Sequence, residues 1–153
     1  MKVTDILDVS SVKVGVATDS KPELLNSLLE LAATTGKILN KESARKEIFD
    51  REKIMSTGIG KGIALPHAKT SAVSESVGSL AVLSKPIDFE SIDGDPVSIV
   101  FLLLGRESAV GNHLRILSKI SRFLNNDEFR AAVLGANSPE EVVKLFNSME
   151  EAE

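Results

Sequence analysis

"PVSIVFLLL", residues 96–104, has no polar face. From Ile99 onward every position is apolar, so both parities of a period-two pattern are hydrophobic. A strand of that kind sits inside a sheet covered on both sides. The preceding "IDGDP" is turn chemistry, and on its far side "SVGSLAVLS" (76–84) reads as a second strand. Further out, "SVKVGVA" (11–17) alternates Val12, Val14 and Val16, the pattern of a strand with one buried face. "IAL" (63–65) is a short strand leading into Pro66 and His67.

Helical periodicity fills the rest. Ser20-Lys21-Pro22-Glu23 is a capping box opening a helix whose apolar face is Leu24, Leu25, Leu28, Leu29 and Ala32, with Gly36 as its expected C-terminal cap. A more polar helix runs from Asn40 to about Glu52, with Ala44, Ile48 and Phe49 as a narrow stripe. A long helix is expected from about Gly111 to Leu124, with Leu114, Leu117, Ile120, Phe123 and Leu124 inward. A short one covers 127–134, and the last begins at the Ser138-Pro139-Glu140-Glu141 box. Strands and helices alternate irregularly. The fold class expected is therefore α/β: a mixed β-sheet flanked by helices on both faces, in a single layered domain over residues 1–153.

The 153 residues are 42% hydrophobic and 26% charged, enough for one real core. With six Phe and no Tyr or Trp, that core is built from Leu, Ile, Val and Ala. A net charge of −4 argues against a nucleic-acid partner. With no cysteine, disulfides, thiolate metal sites and cysteine nucleophiles are excluded. The N-terminus has no signal-peptide run, and the longest apolar run, "IVFLLL", is too short to span a bilayer. A cytoplasmic protein without direct membrane insertion is expected.

The chemistry concentrates in "TGIGKGIALPHAKT", residues 57–70. The phosphate-loop pattern fails because Ala68 precedes Lys69 and position 63 is Ile; Ile63 also breaks the dinucleotide fingerprint. His67 and His113 are the only histidines and have no carboxylate cluster beside them, a poor zinc set, so no metal is expected. What remains is an imidazole, neutral near its reference pKa of about 6.5, that can attack phosphorus and hold a phosphoryl group covalently. Gly58, Gly60 and Gly62 would let backbone N–H groups approach a phosphate. Pro66 stiffens the chain before the ring, and Lys69, Arg51 and Thr57 are candidate helpers. "GNHLRIL" puts His113 in the first turn of a helix, where anions are favoured, so a second imidazole could stabilise phosphoryl charge. The same residues also suit ordinary roles: a surface histidine, a helix-start cap, a glycine turn and solvated cations.

"REKIMSTGIGKGIALPHAKT", "IDFESIDGDPVSIVFLLLGRE" and "NHLRILSKISRFLNNDEFRAAVLGANSPEEVVKLF" together resemble enzyme IIA domains of the sugar phosphotransferase system. The resemblance is to the fructose/mannitol class, which includes a nitrogen-regulatory branch. It covers about residues 4–147, and "PHAKT" is closest to fructose-type members. It implies a single enzyme IIA type 2 domain and a phosphotransferase relay without metal or organic cofactor. His67 would accept phosphate, at Nε2, from the phosphocarrier protein HPr and pass it to a cysteine of an enzyme IIB domain for fructose-type uptake. His113 and Arg51 match the family's second histidine and its arginine, and Ser56-Thr57-Gly58 matches the Ser/Thr-Gly that precedes the loop. In the alternative reading the same His67 gates protein binding in a regulatory phosphoprotein.

Overall fold

The computed structural model describes residues 1–153. Strand β6 (Val97–Arg106) is central, as its two apolar faces require. One edge pairs antiparallel with β5 (Val77–Ile87), and the other is shared by two short parallel strands. Of these, β3 (Ile63–Ala64) lies against Ile99 and Val100, and β4 (His67–Thr70) runs from Leu103 to Arg106. Strand β1 (Val12–Val16) pairs parallel with β5, and β2 (Gly58–Gly60) pairs antiparallel with β3. The six strands form one mixed sheet, the class expected.

Alternation along β6 divides the interior. Val100, Leu102 and Leu104 face α2 (Lys21–Ala33) and α3 (Lys41–Ile54) in a core of 21 buried residues. Ile99, Phe101 and Leu103 face α4 (Val110–Asn125), α5 (Asp127–Leu134), α6 (Pro139–Glu151) and the short α1 (Val3–Ile6) in a core of 19. The near equality of the two cores is why β6 has no polar side. Most helix starts follow the local signals: Ser20, Asn40, Asn126 and Ser138 each accept a backbone N–H three residues on. No helix is long and apolar enough to cross a membrane.

Three local expectations change. Val16 does not share a face with Val12: Lys13 pairs with Ala81 and Val16 with Leu83, so β1 carries one extra residue. Gly15, at φ +67°, absorbs that bulge, and Val16 joins the α2/α3 core while Val12 joins the other. Helix α2 ends at Ala33 with Thr34 as its cap; Gly36, at φ +77°, closes the turn beyond. In α4 the inward residue is His113, 4% exposed, whereas Leu114 is 62% exposed. His113 stands in the stripe of Ile116, Ile120 and Phe123, and Leu114 is about 100° around the helix from it.

Candidate functional site

The chain breaks its pairing with β6 at Leu65 and Pro66 and resumes as β4, so His67 begins a strand instead of ending a loop. Proline has no N–H to offer, but its carbonyl accepts from Leu103 N at 3.0 Å, which holds the rejoining register. Within β4, Ala68 faces the α2/α3 core, so His67 and Lys69 face α4. Their partners on β6 are Leu103 and Gly105. Gly105 leaves the space that His113 fills: a Cβ there would land on His113 Nδ1 and 3.1 Å from its Cγ. The two imidazole rings then stand 5.9 Å apart, tilted by 46°.

His67 is half-buried, and its Nδ1 lies 2.7 Å from the carbonyl oxygen of Leu65. A carbonyl only accepts, so Nδ1 carries the proton and Nε2 the free lone pair. Burial pushes the His67 pKa below its usual value, the Leu65 bond opposes that, the Arg51 charge lowers it further and Glu52 raises it. His113 is lowered to about 4, chiefly by burial and then by His67 and Lys69. Its Nδ1 is buried without a partner. Both rings are therefore neutral at pH 7. Arg51, from the last turn of α3, donates to Met55 O at 3.1 Å, and α3 packs against β4. The first turn of α4 has no acidic residue and no side-chain cap, leaving backbone N–H groups beside the histidine pair. Two neutral imidazoles among Arg51, Lys69 and a helix N-terminus suit a phosphoryl group that is to be bound covalently and then released.

The glycine loop has another job. Gly60 at φ +97°, Lys61 at +58° and Gly62 at +78° turn the β2–β3 hairpin. Gly62 O accepts from Ser98 N and Ile99 N. Ser98 is five residues before Leu103, the partner of His67, or about 16 Å along the strand at ~3.3 Å per residue. Gly60 and Gly62 therefore do not cradle a group on His67. Gly58 gives its N–H to Ser56 Oγ at 3.1 Å, and a Cβ on it would strike Ser91. Thr57 is buried with both of its donors on Glu52, its N–H at 2.8 Å and its hydroxyl at 2.7 Å, so neither is free for phosphate. The structure thus brings together His67, His113, Arg51 and Lys69, and places Thr57, Gly58, Gly60 and Gly62 in the supporting hairpin. Sequence reasoning missed Gly105, the Leu65 carbonyl and Glu52; only the glycine closing the apolar run hinted at any of them.

Two expected results follow from the histidine pair. Gly105→Ala should expel His113 from its niche, cost about 1–3 kcal/mol in urea unfolding and return the His113 NMR titration toward about 6.5; an unmoved titration contradicts the packing. Both histidines also have folded pKa values below the unfolded value, so the unfolded chain binds more protons as pH falls. Stability should therefore decline from about pH 6.5 toward the His113 value of about 4. Urea midpoints at pH 7 and 5 check this, and His113→Gln should shrink the drop.

The family described as "Phosphoenolpyruvate-dependent sugar phosphotransferase system, EIIA 2" matches residues 5–149. The chain is 32% identical over 147 residues to a fructose-specific EIIABC component of the phosphotransferase system from Bacillus subtilis, covering 96% of this chain but only 23% of that protein. It is 37% identical over 129 residues to a nitrogen regulatory protein of Bradyrhizobium diazoefficiens, covering 84% of this chain and 83% of that one. The crystal structure of nitrogen regulatory protein IIA-Ntr from Neisseria meningitidis superposes with a TM-score of 0.84 at 31% identity, covering 94% and 98%. With a match over nearly its whole length, the chain belongs to the EIIA type 2 family and is a phosphoryl-transfer component of the phosphotransferase system.

Proposed function

We propose that Nε2 of His67 accepts a phosphoryl group from phospho-HPr and passes it to the cysteine thiolate of an enzyme IIB domain. The observation that carries this reading is the 2.7 Å contact between His67 Nδ1 and Leu65 O, which commits the proton to one nitrogen and the lone pair to the other. In the first step Nε2 attacks phosphorus, the P–N bond of phospho-HPr breaks, and its electron pair stays on the donor imidazole. The His67 ring, now phosphorylated at Nε2 and protonated at Nδ1, is cationic, and the Leu65 carbonyl stabilises that form. In the second step the thiolate attacks phosphorus, a P–S bond forms, and the P–Nε2 pair returns to the ring. Arg51, Lys69 and the α4 N-terminus offset phosphoryl charge, and the neutral His113 can bind a phosphoryl oxygen.

The fructose-type reading places this transfer in sugar uptake. The 37% identity to a nitrogen regulatory protein favours a second reading, in which phospho-His67 controls the binding of another protein. Incubation with phosphoenolpyruvate, enzyme I and HPr, followed by intact mass and phosphorus NMR, tests the shared step. One acid-labile phosphoryl group on Nε2 is expected; a label on Nδ1, or none from an active donor system, refutes it. Transfer onward to a fructose enzyme IIB supports uptake, whereas phosphorylation-dependent capture of a different protein without such transfer supports regulation.

A further inference from the structure

A continuous set of polar contacts runs from α2 to the His67 ring. Lys21 Nζ lies 2.9 Å from Glu52 Oε1, with side chains only 13% and 5% exposed. Both oxygens of Glu52 accept from Thr57. Thr57 O accepts from Leu65 N at 3.0 Å, and Leu65 O accepts from His67 Nδ1. Each residue in this chain is held from both sides, and no water-exposed side chain interrupts it. Lys21 is fixed in turn by the Phe89 carbonyl at 3.4 Å and the Phe89 ring, with Nζ 4.5 Å from its centroid. The neighbouring Ser56 hydroxyl also donates to Phe89 O, at 2.7 Å.

We infer that Glu52, held by Lys21, is a positioning residue for phosphoryl transfer: through Thr57 it fixes the Leu65 carbonyl that orients His67, and its charge favours the cationic phosphorylated ring. A buried ion pair is a poor source of stability, since an apolar pair of similar volume often does as well. Setting the position and charge of a functional group is a better account of this one. The inference rests on the reading of His67 as the acceptor. The charged and titratable groups around the ring are Arg51 and Glu52 from α3, Lys69 from β4 and His113 from α4. Glu52 is faced by Lys21, which also reaches Glu90 at 3.6 Å. Of these groups, Glu52 is the one whose charge raises the His67 pKa.

The test uses Glu52→Gln and the double variant Lys21→Met/Glu52→Gln. The first removes the charge and leaves Lys21 with only the exposed Glu90 as a carboxylate partner; the second leaves no buried charge without a partner and so should fold with near wild-type stability. In both, the His67 NMR titration should move to lower pH, and phosphoryl uptake from phospho-HPr should slow about tenfold, the low end of the range for outer-shell groups that orient metal-bound histidines. A folded double variant with wild-type His67 titration and wild-type uptake overturns the inference and leaves the pair a packing feature. The titration needs no phosphoryl donor. A wild-type chain that takes up no phosphate would therefore defeat the acceptor reading alone, while the titration still decides the contact chain.

Discussion

His67→Ala is expected to abolish phosphoryl uptake, with a rate loss above about a thousand-fold, the scale for deleting a covalent nucleophile. The phosphoryl group needs a lone pair that a protein donor can reach. His67 is half-buried at the start of an edge strand, and its Nε2 is freed by the Nδ1 bond to Leu65. His113 cannot substitute: it is 4% exposed, packed over Gly105, with its Nδ1 enclosed. Intact-mass labelling of wild type, His67→Ala and His113→Ala with one donor preparation reads the difference. His113→Ala should still label but transfer onward more slowly. A phosphoryl group on His67→Ala would show that the acceptor lies elsewhere.

Phe146→Ala should produce the largest loss of stability, about 3–5 kcal/mol, against a total that for domains of this kind is ~5–15 kcal/mol. Phe146 is fully buried and central to the α4–α6 core. Its ring meets Phe129 at 4.9 Å and 78°, Phe101 at 5.9 Å and 75°, and Phe123 at 6.5 Å. The two edge-on pairs, with Phe129 and Phe101, add to the apolar burial. Because neighbours on β6, α4 and α5 are anchored in different elements, they cannot all close on the space that truncation leaves. Urea unfolding followed by circular dichroism measures the loss, and a cost below about 1 kcal/mol would mean that this core collapses freely.

The sequence was most informative where the controlling forces are local. Two-faced hydrophobicity of 99–104 put β6 at the centre, and Ser20, Asn40 and Ser138 marked helix starts by bonds reaching three residues. The α/β class and the candidacy of His67 and His113 came from the same reading. It went astray where two elements had to be compared. Three glycines near a histidine suggested a phosphate cradle, yet Gly60 and Gly62 turn a hairpin at the other end of β6. Spacing in the chain does not reveal that β3 and β4 share one edge end to end.

Residue type and period alone determined the strand at the centre, most helix boundaries and a neutral imidazole able to attack phosphorus. Only the tertiary structure decided that His113, not Leu114, turns inward, because the niche it fills is made by Gly105 on another element. Only the tertiary structure decided which His67 nitrogen is free, because its partner is a backbone carbonyl, a group every residue carries and whose direction folding alone sets. Likewise, a lysine and a glutamate 31 positions apart become a buried pair behind the active strand only once α2 and α3 pack on the same face of the sheet. Short-range periodicity reflects which face of an element is apolar, whereas the placement of one functional atom against another depends on long-range packing.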